Sequence, residues 1–395
     1  MTTVVSVVLA LGVIAGLFTV LNLLIDRLPQ RWDDRVRPWL FVLPAVLFML
    51  GALIVPAVRT VVLSFSGGNR GDEGFTTSNW TDVLGDKGVI SFDRIGDVLT
   101  SRLTILGIVL LVVGLVAARR SAASVGGGTG GTGDPKLDLS SPLATIALAA
   151  ALVAVLMAVL STLRGVVWNN LWWVVVAGFA TALGLALAVL ADRSKNETAA
   201  KTLIFMPMAI SLVGAAIIWK YVYDTPGAGQ AEGLLNVLWP GDPIDFLRGT
   251  SSNDRGTIAP WNNFYIMLIM IWIQTGFAMV VISAAIKGVP TELGEAARVD
   301  GANETQVFWR VTLPQITGTI LVVITTLTIT VLKIFDLVKA TTGGAADTDV
   351  LANRVYEGLR NGNFTASSVF AVMIFILVIP VGYLNIRRNR EEVAR

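Results

Sequence analysis

The stretch Glu295-Ala296-Ala297-Arg298-Val299-Asp300-Gly301, followed after nine residues by Val311-Thr312-Leu313-Pro314, is a polar insert between two apolar runs. Its residue types suit docking rather than bond chemistry. Thr291 is placed to cap a helix with Glu292 in its first turn, and Leu293, Ala296 and Ala297 then share one face. At Gly301 a turn with positive φ carries no steric cost, and Asn303 with Gln306 three residues on has the pattern of a capping box opening a second short helix. That helix carries Phe308 and Trp309, large rings that need something to bury them, and Pro314 resets the chain before the next apolar run. The predicted unit is helix, turn, helix, a socket for a soluble partner.

Other chemistry is scarce. The 395 residues include no cysteine and no histidine, which removes disulfides, thiolate metal sites and the commonest general base. No G-x-x-x-x-G-K-[S/T] pattern occurs, so any ATP is expected to be hydrolysed by another subunit. Gly128, Gly130 and Gly133 satisfy G-x-G-x-x-G, but apolar runs flank them where a strand and a helix should, and the stretch 121–142 reads as a flexible linker. A net charge of +2 carries no nucleic-acid signal.

With 54% hydrophobic and 15% charged residues, the chain must live in lipid. Apolar runs of spanning length stand at 2–25, 39–58, 102–118, 143–163, 167–191, 202–222, 263–286, 316–338 and 367–386. The fold class is all-α, a polytopic transmembrane helical bundle of about nine spans. With the Glu295 loop in the cytosol, the inner segments hold seventeen of the thirty Lys and Arg residues and the outer ones ten, as the positive-inside rule requires. This places the amino terminus outside the cell membrane and the carboxyl terminus inside. The first run lacks a basic n-region and is too long for a signal peptide. The outer segments 59–101 and 223–261 read as folded loops that either meet a solute-delivering protein or cover the span ends, the second reading applying more to 59–101.

These residues carry a family likeness. Glu295-Ala296-Ala297, Gly301 and Leu313-Pro314 resemble the EAA loop of permease subunits in bacterial ABC importers, departing at Val311, where Ile is commoner. Leu203-Ile204-Phe205-Met206-Pro207, Gly233-Leu234-Leu235-Asn236, Lys287-Gly288-Val289-Pro290 and Phe335-Asp336-Leu337-Val338 resemble the carbohydrate branch. Gln274 through Val281 and Val350-Leu351-Ala352-Asn353-Arg354 resemble the first permease subunit of α-glucoside importers, relatives of the maltose transporter's larger permease.

The resemblance implies a type I core of six helices, built from spans 39–58, 167–191 and the last four. It also implies a second permease subunit, two ATPase subunits holding ATP and magnesium, an extracellular sugar-binding protein and a carbohydrate substrate. The loop 288–314 would dock on the ATPase through Glu295, Ala296, Ala297, Asp300, Gly301, Phe308, Trp309, Leu313 and Pro314. The expected organisation is an extra span and connector over 1–37, a first core span with its outer loop over 38–101, an inserted helix pair with the glycine-rich linker over 102–166, and the core over 167–395. An ion-gradient-driven secondary transporter is the alternative class; it requires inverted repeats and mid-bilayer carboxylates, and neither is clear in the sequence.

Polar residues within the spans mark candidates for the solute pathway. Lys333 and Asp336, at i, i+3 near the end of the 316–338 run, either border the pathway or form a bridge that snorkels to the interface. Thr326 and Thr330 lie near the same face and could offer hydroxyls, although threonines in helices favour bonds to their own backbone. Gln274, Thr275 and Gly276 form a polar break in the 263–286 run, with Gln274 favoured for the pathway, whereas Ser211 and Trp272 suit packing better. By resemblance to the maltose relative, the positions lining up with its sugar site include Met208, Leu212, Ile273, Gln274 and Lys333.

Overall fold

The computed structural model describes residues 16, 19, 30–69, 71, 73–92, 95–126, 142–163, 165–223, 233–238, 245–247 and 261–393. Apart from residues 16 and 19, the run 2–25 lies outside them, as does the glycine motif at 128–133. Two compact units divide at Ser64.

In the first unit α1 (Gln30–Met49) passes through a π-helical turn (Leu50–Ile54) into α2 (Val55–Ser64). The wide turn ends two residues before Pro56, whose ring would otherwise strike a carbonyl of the preceding turn. The apolar stretch Phe41–Ser64 presents side chains such as Phe48, 77% exposed, on its outside.

The second unit opens with a two-stranded hairpin, β1 (Ser66–Gly67) on β2 (Glu73–Phe75), and a short helix α3 (Ser78–Gly85). Stacking of Phe65 on Phe75 and Trp80 seals this piece, and Val83 and Val89 pack with Val166, Leu351, Val369 and Phe370. Among the described residues of 65–101 the chain is therefore folded. Helices α4 (Arg102–Gly126) and α5 (Pro142–Thr162) form an antiparallel pair, close-set where a Cβ at Gly114 would lie 2.8 Å from Leu148 Cγ.

The core is α6 (Val166–Asp192) laid along α10 (Trp261–Lys287) and α13 (Leu313–Leu332), with α16 (Phe364–Val393) against α13. Between α6 and α10 come α7 (Glu197–Phe205), α8 (Leu212–Tyr223) and α9 (Leu234–Leu238). Lipid tails are as apolar as leucine, so these helices associate by close fit. The α6 residues Ala177, Ala180, Ala188 and Ala191 supply a narrow face for Ala278, Met279 and Ile282 of α10.

Among the described residues six helices are long and apolar enough to cross a membrane, or seven with the bent pair α7–α8 taken as one. The expected nine are not reached, because 2–25 is described only at residues 16 and 19 and the described apolar run of α5, Pro142–Val155, is short. The 202–222 run is not one straight span. It breaks at a 3-10 turn (Met206–Ala209), and α7 and α8 meet at 99°. The 316–338 run also differs: the helix stops at Leu332, and α14 (Asp336–Thr341) starts anew before α15 (Leu351–Arg360).

A Cβ at Gly184 would lie 2.5 Å from Ala278 Cβ and 2.8 Å from Met279 N. Gly184→Val is therefore expected to cost about 1–3 kcal/mol by overpacking, read as a lower unfolding midpoint in detergent. Lys339 of α14 pairs with Glu357 of α15 and holds its carboxyl below the ordinary 4.5. A lowered native value means the link stabilises above the ordinary carboxylate pKa and is lost as pH falls through the native one. Acidification below about 4.5 should therefore lower the unfolding midpoint, and less so in Glu357→Gln.

Candidate functional site

The polar insert forms a helix, a turn and a second helix. Its first helix, α11 (Thr291–Val299), begins with Thr291 already helical; the cap position is Pro290, with φ −56° and ψ 129°, and no side chain caps the start. The expected Thr291 cap is thus replaced by a proline whose missing N–H and fixed φ already suit a helix entry. At the other end the amide of Ala302 donates to Ala297 O (2.9 Å) and that of Gly301 to Arg298 O (3.0 Å), with Gly301 at φ +87°. This paired closure requires the left-handed residue that glycine supplies.

The capping box forms as the spacing predicts: the amide of Gln306 donates to Asn303 Oδ1, and that of Asn303 to Gln306 Oε1, both at 2.9 Å. It opens α12 (Glu304–Val307), but this helix does not stop short. It runs through a π-helical turn (Phe308–Thr312) into α13, with Pro314 in the first turn of that helix. Pro314 therefore shapes a continuous helix instead of resetting the chain, and the wide turn again ends two residues before the proline, clearing its ring.

Arg298 Nε donates to Glu304 Oε1 at 2.7 Å, tying the two arms together and raising the Arg298 pKa. Val307, buried, packs inside the elbow near Gly294. The outer side is bare. No residue of α11 is buried, Val299 is 87% exposed, and Glu295, Ala296, Asp300 and Gly301 all face out. Ala297 and Leu313 are half-buried and Pro314 is exposed. Phe308 meets Trp309 edge to face at 5.6 Å, leaving Phe308 half-buried and Trp309 exposed.

A charged knot not anticipated from sequence stands where α10 leads into this elbow. Asp192 Oδ1, at the end of α6, accepts from Lys201 Nζ of α7 (2.5 Å) and from Ser283 Oγ of α10 (2.8 Å). Lys201 also bonds Glu197 at 2.5 Å, and Glu197 pairs with Lys287 in the last turn of α10. The clue in the sequence is a cluster of short-range opposite charges flanking spans.

At the opposite end of α6 lies a second unforeseen network. Asn170 Nδ2 donates to Leu332 O at 2.7 Å while its Oδ1 accepts from the Leu351 amide at 2.8 Å. Asn169 Nδ2 reaches Asp349 O (3.0 Å), and Asn263 Nδ2 donates to Asn169 Oδ1 (3.2 Å). These bonds hold the loop after α14, which turns at Gly343 and Gly344 with φ +67° and +90°. The Asn-Asn pairs 169–170 and 262–263, each in the first turns of an apolar helix, are the signal that could have revealed it.

The pathway candidates divide. Met208 sits in the break between α7 and α8, 41% exposed, and Leu212 opens α8 half-buried. Gly276 is where that break crosses α10: a Cβ there would lie 2.7 Å from Ile204 O. Gln274, half-buried, has only Met270 Sδ at 4.0 Å. Ile273 is buried in the core at 4% exposure, and Thr275 donates to Ile271 O at 2.6 Å on its own helix. Thr330 donates to Thr326 O at 2.9 Å. Lys333 and Asp336 are exposed but do not pair on one helix face; they fall on either side of the helix break. Asn170 takes the Leu332 carbonyl, so the helix ends before Lys333.

Among the described residues no group of three or more acidic side chains could hold a metal ion. The arrangement offers a stiff exposed elbow at one end and a bent helix crossing a glycine in the middle. Asn303→Ala is expected to cost about 1 kcal/mol of local helix stability, seen as faster hydrogen exchange at 303–307 with membrane insertion unchanged.

Comparison with known proteins places this geometry. Residues 180–386 match the family described as binding-protein-dependent transport system inner membrane component. The alpha-glucoside transport system permease protein AglF of Rhizobium meliloti (strain 1021) is 37% identical over 370 residues, 92% of this chain and 85% of that protein. The osmoprotective compounds uptake permease protein GgtC of Synechocystis sp. is 47% identical over 229 residues, 57% of this chain and 79% of that protein. A crystal structure of a bacterial alginate ABC transporter with its alginate pentasaccharide-bound periplasmic protein contains a similar fold, with TM-score 0.54, 19% identity and coverage of 91% of this chain and 98% of that one. With a match over more than half its length and a near full-length relative, the chain belongs to the inner-membrane permease family of binding-protein-dependent transport systems.

Proposed function

We propose that this chain forms half of the translocation pathway of an ATP-driven importer of di- or oligosaccharides of the alpha-glucoside class. The solute class is supported by near full-length similarity to a permease named for alpha-glucosides. The mechanical part is supported by one observation: α11 and α12 make an elbow braced within itself and bare outside, whose second arm is continuous with the membrane helix α13.

On this reading the elbow sits in a cleft of a separate ATPase subunit, which binds ATP and magnesium. Glu295, Ala296, Ala297, Asp300, Gly301 and Trp309 form the contact, while Phe308, Leu313 and Pro314 shape the root. Closure of two ATPase subunits pushes the elbow, and α12 with α13, one unbroken helix from Glu304 to Leu332, carries the displacement into the bundle. A second permease subunit completes the pathway and an extracellular sugar-binding protein delivers the solute. The amino terminus lies outside and the carboxyl terminus in the cytosol.

The solute passes the bent α7–α8 crossing along Met208, Leu212 and Gln274, each on partly open surface, with Lys333 and Asp336 at the end of α13. Ile273, Thr275 and Thr330 shape these helices from behind. An ion-gradient-driven carrier needs carboxylates inside the bundle; among the described residues no buried polar side chain is a carboxylate.

Gly301→Pro forces φ near −65° where the turn needs +87°, and Phe308→Ala hollows the root of the elbow. Both should lower ATP-dependent uptake of a labelled α-glucoside into proteoliposomes by an order of magnitude while the chain still inserts in the membrane. Undiminished uptake by both variants, or uptake driven by a proton or sodium gradient without ATP, overturns the proposal.

A further inference from the structure

A cavity of about 560 Å³ separates the inserted helix pair from the core. Its wall is Val153 of α5 with Leu171, Val174, Val175, Gly178, Phe179 and Ala182 of α6. None of these side chains is polar. A water needs two to four polar partners and a sugar needs more, so neither belongs there. Hydrocarbon does.

The dimensions select one kind of hydrocarbon. From Leu171 to Ala182 the helix rises about 16 Å at 1.5 Å per residue, and half of a roughly 30 Å hydrocarbon core is about 15 Å. The 27 residues of α6 are about 40 Å long and overhang such a core by about 5 Å at each end. Leu171, about 8 Å from the start at Val166, therefore lies just below one interface, and Ala182 lies a little past the midplane. The cavity has the depth of one leaflet.

Gly178 keeps it open. A Cβ built there meets nothing within 4 Å, in contrast to Gly184 on the same helix, where a Cβ would strike Ala278. One glycine serves helix packing and the other leaves room. The pair α4–α5, by comparison, closes tightly on itself, a Cβ at Gly107 lying 2.7 Å from Val155 Cγ2.

The geometry points to a phospholipid acyl chain, inserted from the leaflet at the Val166 end of α6, as the occupant of this cavity and the filling between the inserted pair and the core. This inference is independent of which solute the transporter carries.

The test uses the full chain in vesicles of phosphatidylethanolamine and phosphatidylglycerol, with a trace of phosphatidylcholine bearing a photoreactive diazirine on one acyl chain. After irradiation, labelled peptides are mapped by mass spectrometry. Labelling should concentrate on 171–182 and around Val153, well above that of the outward-facing span Phe41–Ser64. Gly178→Leu fills the cavity from α6 and Val153→Trp fills it from α5; each should reduce the labelling several-fold and leave that of Phe41–Ser64 unchanged. Failure of one variant to fold leaves the other to decide. Labelling of 171–182 no higher than that of Phe41–Ser64, labelling unchanged by the filling variants, or cross-linking of these residues to a protein segment instead of lipid overturns the inference.

Discussion

Hydrocarbon offers no hydrogen bonds, so wherever a membrane helix ends or bends inside the bundle, the chain must complete the freed backbone groups itself. The positions of its breaks follow from that constraint. Asn170, held in the first turns of α6, takes the Leu332 carbonyl with one end of its amide and the Leu351 amide with the other. A single side chain thus closes one helix and orients the start of another. The break between α7 and α8 is instead seated on Gly276, whose missing side chain lets the Ile204 carbonyl approach α10.

The two polar networks divide the labour along α6. At the Val166 end asparagines, neutral and with both donors and acceptors, fix a loop that turns through several left-handed residues. At the Asp192 end charged groups bind three helices through Lys201 and Glu197. In the proposed mechanism the charged knot holds α10 at the entry to the elbow, so the push on the elbow meets a braced support.

Much of this was legible. The capping box at Asn303 and Gln306 and the left-handed Gly301 stand where their spacing places them, because both depend on residues within one turn of each other. What failed were readings that treated an apolar run as one straight rod. The run 202–222 hides a bend of 99°, and 316–338 hides a helix end, because the partners that make each break tolerable, Gly276 and Asn170, lie some seventy and 162 positions away along the chain. Pro314 misled in the opposite direction: a π-helical turn absorbs its ring, and the helix continues.

From residue order alone came the class of molecule, the membrane, the elbow and the kinship, since each rests on composition or on contacts within a few residues. Folding in three dimensions settled which polar groups within the spans are spoken for. Thr275 and Thr330 bond their own helices, Lys333 and Asp336 are parted by a helix end, and four asparagines with no apparent role in the sequence become the fastening of the loop after α14. Hydrogen bonds over such separations depend on which helix faces meet, and hydropathy, the same around a buried helix as along it, does not encode that choice.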